Sequence, residues 1–447
     1  MALKGETLKA YNNLPAIPIE QPLGDLLNTI PVGDPALENP AGGVATLYID
    51  ASGSDDTGDG SQANPFATPQ AALDAIPSTA ARGTRYDIQC GAGTFPFPEL
   101  SRLPPQVSVS LIGDRSNPVV SIPAGSVPFS KVAGKQSRWT GNVGAYADVV
   151  TDGSHWLAGT FSPGGSVLGY LAATSTSPNL EIIQAFDVTA FVNLELYAYA
   201  TFFEATSLSS TTYVGPTDGS DANRTGGSVT LKGIVITNSA AGAGFRPRGV
   251  SFSGCAFKKN PAAGFFSIDA ENCQLGAFFD TDTNLTASAC GISTAYVKIT
   301  TFWTIEGVGS SDFIGSVLYP VTINKGSSTL ISGCDLEGTG TAISMFGGAP
   351  HVSLQNSTVD ATLTSVVNLS SSINGSIQAA GTITGSCTGN GFVVTNGGQA
   401  TGVQAACLGN LTTGGSDVVC GGNAGQSFVA LPTTDLAAAS PQLCRIT

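Results

Sequence analysis

The sequence predicts an all-β fold, a β-solenoid of stacked coils, and three observations carry that prediction. The first is composition. Of 447 residues, 56 are Gly, 42% are hydrophobic and only 11% are charged, against ~7% Gly and ~25% charged in an ordinary globular chain. Disorder would need low hydrophobicity with high charge, and a long helix or coiled coil would be rich in Ala, Glu, Lys, Leu and Arg. The second is a recurring pattern. Val229-Thr-Leu-Lys-Gly-Ile-Val-Ile236 returns 21 residues later as Val250-Ser-Phe-Ser-Gly-Cys-Ala-Phe257. It returns again as Thr329-Leu-Ile-Ser-Gly-Cys-Asp-Leu336, 79 residues on, and as Val352-Ser-Leu-Gln-Asn-Ser-Thr-Val359 after 23 more. The third is the spacing of Cys255, Cys273 and Cys290, at 18 and 17 residues. A period near ~20 with strand alternation belongs to a solenoid, in which each coil buries its inward side on its neighbours.

In chain order, residues 1–44 are Pro-rich and lack periodicity, so they read as an extended arm. Residues 45–114 open with the strand signal Thr46-Leu-Tyr-Ile-Asp50 and the polar turn cluster 52–61. Thr68 then offers an N-cap and Pro69 an N1 residue, and Ala72, Leu73 and Ile76 give the short helix that follows one apolar side. Ile88-Gln-Cys90 and Val107–Asp114 read as strands. Residues 115–226 fit the period poorly and read as irregular turns with an insertion; 227–430 hold the repeats and 431–447 form a tail.

The segment YIDASGSDDTGDGSQANPFATPQAALDAI, within 45–114, resembles the opening of pectate-lyase-like right-handed parallel β-helices. The resemblance implies a short helix capping the N-terminal end of a right-handed parallel β-helix. It leaves activity open, because that fold carries lyases, hydrolases, esterases and non-enzymatic virion spikes, including phage tailspikes.

Charge and targeting signals narrow the function. The net charge of −14 argues against a nucleic-acid binder, which needs clustered Lys and Arg. The apolar stretch 181–206 is broken by Glu181, Asp187, Asn193 and Glu195, so no membrane span is expected. The first residues have no apolar run of a secretory signal. Nine cysteines without a CxxC pair, and only His155 and His351, predict stacked core thiols, no metal site and no cofactor.

Carboxylates are the candidate catalysts. Glycoside hydrolysis needs two, separated by ~5–9.5 Å. Residues two apart on one strand face lie ~6.5–7 Å apart, and stacked coils lie ~4.8 Å apart. Asp269/Glu271 and Asp335/Glu337 have the two-residue spacing, as does Asp280/Asp282. Gly309-Ser-Ser-Asp-Phe-Ile-Gly315 resembles the nucleophile motif of pectin methylesterases, which would make Asp312 the nucleophile. It departs from that family in two ways: Gln274 is followed by Leu275 rather than Asp, and no Arg follows Asp312 before Arg445. The turn holding Asp55, Thr57 and Asp59 has the spacing of a calcium loop but carries Phe66 where such a loop ends in Glu, so it reads as a solvated turn. Trp139, Trp156, Trp303 and Tyr197 are the candidates for stacking on sugar rings.

The expectation is a phage virion surface protein, a tailspike, fibre or head-decoration spike. It would be homotrimeric by analogy with such spikes, dock to other virion proteins through 1–44 and meet host polysaccharide. The alternative is a polysaccharide-degrading enzyme acting through Asp269, Glu271, Asp312, Asp335 or Glu337.

Overall fold

The computed structural model describes residues 43–81, 83–100, 103, 107–114, 120–122, 128–136, 138–142, 144, 155–162, 166–170, 179–183, 190–198, 200–203, 228–238, 244–258, 266–279, 283–288, 290–294, 303–306, 310–324, 328–348, 350–369, 375–395, 399–401, 411–415, 418–421, 428–430 and 445–446. The expected arm 1–44 and tail 431–447 fall almost wholly outside these residues.

The described chain is nearly all β, with long parallel sheets of the kind a β-solenoid makes. From Val317 onward the chain visits three parallel sheets in a fixed order. Ser328–Ser332 lies in the first sheet, Asp335–Leu336 in the second and Gly340–Phe346 in the third. His351–Gln355, Thr358–Val359 and Leu363–Leu369 then repeat the circuit. Each strand pairs in parallel with its counterpart one coil later.

Alternation explains why these segments stack. In Val229–Lys232 and Ser328–Ser332, every second side chain is buried, as period-two strands with one face on a core require. The register joins the inward residues of the first sheet into one column: Leu47, Ile88, Leu111, Leu231, Phe252, Leu275, Ile292, Ser311, Thr329, Val352 and Ile377. Each fully buried aliphatic side chain contributes roughly 1.5–3 kcal/mol. Early in the stack the interior is aromatic: Phe95, Phe202, Phe245, Phe257 and Phe266 are all buried. Phe95 and Phe202 meet edge to face at 5.8 Å.

The Gly or Asn of the repeat marks a bend, which follows a first-sheet strand at Gly233, Gly333 and Asn356 and lies at a register shift inside Val250–Lys258 at Gly254. Gly233, Gly254, Gly333 and Asn356 all have positive φ, between 45° and 63°. Space does not demand glycine at Gly254, where an added Cβ would meet nothing within 4 Å. The left-handed backbone does, and Asn is the side-chain-bearing residue that visits it most readily. The next residue turns inward: Ile234, Cys255, Cys334 and Ser357 are buried. Cys334 Sγ and Ser357 Oγ each donate to the carbonyl two residues back, at 3.4 and 2.8 Å. Cys90, Cys255, Cys273, Cys290, Cys334 and Cys387 are buried free thiols, and burial pushes the Cys334 thiol up to about 12.

Repeat and register part company in one place. The sequence pattern aligns Val250 with Thr329, but the column places Thr329 on the ladder of Phe252. The bend has moved by two residues over four coils whose lengths vary. An even shift keeps every side chain on its own face, so the core is undisturbed. Coil length is correspondingly loose: bonded neighbours lie 17 residues apart at Cys273 and Cys290 but 25 apart at His351 and Ser376.

The short helix is Pro69–Asp74, with Thr68 as N-cap and Pro69, Ala72 and Leu73 buried. Asp55 builds the cap from outside, accepting from the amides of Ala67 and Thr68 at 2.8 and 2.9 Å and from the Thr68 hydroxyl at 2.8 Å. Within 115–226, Ala200–Phe203 pairs in parallel with Gly93–Pro96 and Val235–Thr237 as part of the first sheet, and the other described strands pair antiparallel in two small sheets. One holds Phe129–Lys131, Arg138–Asn142 and Asn179–Ile183. The other holds Val120–Ile122, His155–Ser162, Ser166–Tyr170 and Ala190–Ala198.

Candidate functional site

The expected carboxylates fall on all three parallel sheets. Asp312 belongs to Ser310–Ile314 in the first sheet, beside Ser293 on one coil and Leu330 on the next. Its ladder neighbours supply no second carboxylate. Asp269 and Glu271 lie in Phe266–Glu271 of the third sheet, on the outward side. Asp269 sits 3.6 Å from Arg246 and Glu271 2.9 Å from Arg248, with all four side chains partly exposed. These are two rungs of a surface ion-pair ladder.

Asp335 and Glu337 lie at the second sheet and are buried, 0% and 8% exposed. Here the insertion reaches the stacked coils. The hairpin Phe129–Lys131 and Arg138–Asn142 turns through Gly134, at φ 71°, and presents Lys135, Gln136 and Arg138. Lys135 Nζ donates to Glu337 Oε1 at 2.6 Å, and Arg138 Nη2 donates to Glu337 Oε2 at 2.7 Å. The Gln136 amide donates to Asp335 Oδ1 at 2.7 Å. Tyr319 Oη, from the preceding coil, approaches Glu337 Oε2 at 3.4 Å, and Lys135 also reaches Asp360, on the following coil, at 3.5 Å.

Electrostatics follow from this packing. Burial works to lower the Lys135 pKa, but the hydrogen bond and charge of Glu337 outweigh it and hold the ammonium form above its ordinary value. Burial, reinforced by the Glu337 charge, raises the Tyr319 phenol. The Asp360 carboxyl is held low by the Thr362 amide and hydroxyl, with Lys135 adding to the effect. Both Glu337 oxygens are taken by cations and an Asp335 oxygen by a backbone amide, so in this arrangement neither is a free general acid or nucleophile. The cluster fastens the insertion to the coils, and the sequence alone does not point to Lys135, Arg138, Tyr319 or Asp360. Lys135 and Glu337 are separated by 202 residues, and no local pattern joins them.

The aromatic candidates do not assemble into a described sugar platform. Trp139 is 6% exposed and lies under Lys131, whose Nζ is 5.5 Å from the ring centroid. Trp156, Tyr197 and Trp303 are on strands His155–Ser162, Ala190–Ala198 and Trp303–Glu306, and their side chains lie outside the described residues. Among the described residues no group of three or more His, Cys, Asp or Glu is placed to hold a metal ion, and no helix is long and apolar enough to cross a membrane. Asp59, in the calcium-like turn, instead accepts from the Ser61 amide at 2.8 Å.

No protein-family model matches the chain, and no curated protein matches it significantly.

Proposed function

We propose that this chain is a phage virion surface protein, a tailspike, fibre or head-decoration spike, folded as a right-handed parallel β-helix whose Pro69–Asp74 helix caps its N-terminal end. In this reading it acts as a homotrimer, docks to other virion proteins through residues 1–44 and contacts host-surface glycans. One observation carries the choice of scaffold over catalyst: the five candidate carboxylates are spread over three sheets, and the buried pair is held by Lys135, Gln136 and Arg138. The outward side of the first sheet also suits side-by-side packing of copies. Its described rungs Ser328, His351 and Ser376 are polar and stack in register.

A polysaccharide-degrading enzyme is the second reading, favoured by the two-residue spacing of Asp335 and Glu337 on one strand side. It would require the hairpin to leave those carboxylates. Native mass together with a reducing-end and unsaturated-sugar assay on host-surface polysaccharide separates the two. A trimer that does not cleave is the expected result. Cleavage abolished by Glu337→Ala would establish the enzyme reading, and a non-cleaving monomer would sink the virion-trimer reading.

A further inference from the structure

The first coils carry an open cleft of about 660 Å³, lined in part by Tyr48, Asp50, Gln62, Gln89, Gly91 and Asp114. That volume falls within the ~300–1,000 Å³ of small-molecule sites. Its floor is the outward side of two paired strands, Val44–Ile49 and Arg85–Cys90, on which Tyr48 and Gln89 are register partners. Gly91 and Asp114 continue the second and third strands, their amides donating at 2.8 Å to the carbonyls of Ile49 and Cys90.

One wall is the loop that follows the first strand, folded back beside it. The Tyr48 amide donates to Gly60, the Phe66 amide to Tyr48 and the Asp50 amide to Phe66, at 2.9, 3.0 and 2.9 Å. Backbone bonds therefore set the shape of the cleft before any ligand arrives, which lowers the ordering cost of binding.

Two further details fit a ligand site. Asp50 Oδ1 is fixed by the Ser52 amide and hydroxyl, at 2.9 and 2.6 Å. Its Oδ2 lies where a Cβ on residue 91 would come within 2.5 Å, so only glycine there leaves the carboxylate its place. The side chains of Tyr48, Gln62 and Gln89 have no protein hydrogen-bond partner among the described residues.

The lining thus combines two carboxylates, two carboxamides and a phenol, with no Lys, Arg or His among its described residues. Carboxylates accept hydroxyl protons strongly, carboxamides both donate and accept, and a phenol ring adds an apolar surface. A polyhydroxylated uncharged ligand satisfies all of these groups, whereas an acidic one would be set against the like charge of the Asp50 carboxylate.

We propose that this cleft binds a neutral oligosaccharide and rejects acidic ones. The proposal deepens the glycan reading above and places the contact on the first coils rather than on the tryptophans. The test is calorimetric titration of the full chain with maltotriose, cellotriose, triacetylchitotriose and, as the acidic probe, trigalacturonate. A neutral trisaccharide is expected to bind and trigalacturonate is not. Gln89→Ala and Tyr48→Ala, both outward-facing changes, should each weaken binding by about tenfold or more, equivalent to about 1.4 kcal/mol. Silence with all three neutral sugars would overturn the proposal, as would equal binding of trigalacturonate. Neutral-sugar binding that survives both substitutions would remove the cleft while leaving glycan attachment, and with it the virion reading, in place.

Discussion

Asp269-Ala270-Glu271 and Asp335-Leu336-Glu337 share the order Asp, apolar residue, Glu, yet they sit in opposite surroundings. The first pair faces outward and meets Arg246 and Arg248 from the adjoining coil, with side-chain exposures from 22% to 44%. The second is covered by a hairpin from a distant part of the chain, and the Glu337, Lys135 and Arg138 side chains are only 11–20% exposed. Water screens the first set and cannot reach much of the second. The same two carboxylates are therefore a surface decoration in one coil and a tertiary fastening in another, and the partner chain segment makes the difference.

Removing the glutamate from each pair tests that difference most strongly. Glu337→Ala would remove the carboxylate that Lys135 and Arg138 both bond in a largely desolvated place, a loss that costs about 3–5 kcal/mol. Glu271→Ala should cost under about 1 kcal/mol, as exposed pairs do. Urea unfolding of both variants, with hydrogen exchange over the hairpin 129–142, measures the gap. The hairpin amides should lose protection in Glu337→Ala alone. Equal costs would show that the cluster is as well hydrated as the surface ladder.

The pH response sharpens the same contrast. Lys135 has a raised pKa, so its contribution is complete below its ordinary value of 10.5 and is lost as pH climbs through the higher folded value. Asp360 has a lowered pKa, so its contribution is complete above its ordinary value of 3.8 and is lost as pH falls through the lower folded value. Stability should therefore fall above the upper limit and below the lower one, and hairpin protection should follow the alkaline fall more closely, because Thr362 rather than Lys135 contributes most to the Asp360 effect. In Lys135→Met the alkaline fall attributable to the ammonium should vanish. An unchanged alkaline limb would assign that loss to another group.

The bends extend the comparison to positions that share a backbone and differ in side chain. Gly333 and Asn356 occupy equivalent corners at φ 63° and 45°. Gly333→Ala places a Cβ in the left-handed region and should cost about 1–2 kcal/mol. Asn356→Gly should cost less than that, offset only by loss of the Asn356 Oδ1 bond from the Thr382 amide at 3.0 Å. Thermal midpoints of the two variants rank them, and the reverse order would mean that the side-chain bond outweighs the backbone.

These corners were the most legible part of the sequence, because a left-handed bend restricts residue type and the restriction recurs with each coil. Inward alternation was legible for the same reason at Val229, Val250 and Val352. Register was less so: coils vary in length, and a two-residue drift between Phe252 and Thr329 leaves no mark on a pattern of period two. The carboxylate pairs could be read as pairs but not as sites. Nothing near Glu337 in sequence announces Lys135 and Arg138, and nothing near Trp139 announces that Lys131 covers it. The cleft was illegible too, since Tyr48, Gln89 and Asp114 come from three successive first-sheet passes.

The smallest expected effect concerns the one stretch where the inward column of the first sheet turns polar. Between Ile292 and Val352 the column runs through Ser311 and Thr329, buried at 0% and 1% exposure, and neither hydroxyl has a hydrogen-bond partner among the described residues. Stacked directly on one another, they interrupt an aliphatic ladder without the compensation a buried hydroxyl ordinarily finds. Ser311→Ala and Thr329→Val each delete a desolvated oxygen, and the valine keeps the threonine shape. Each change should be neutral or stabilising by up to about 1 kcal/mol, well below the Glu337 effect. The two rungs touch, so the double variant need not equal the sum, and a cycle of urea-unfolding free energies gives their coupling. A loss of stability in both single variants would mean that the two hydroxyls bond each other or a trapped water, and that this part of the column is a polar layer rather than a defect.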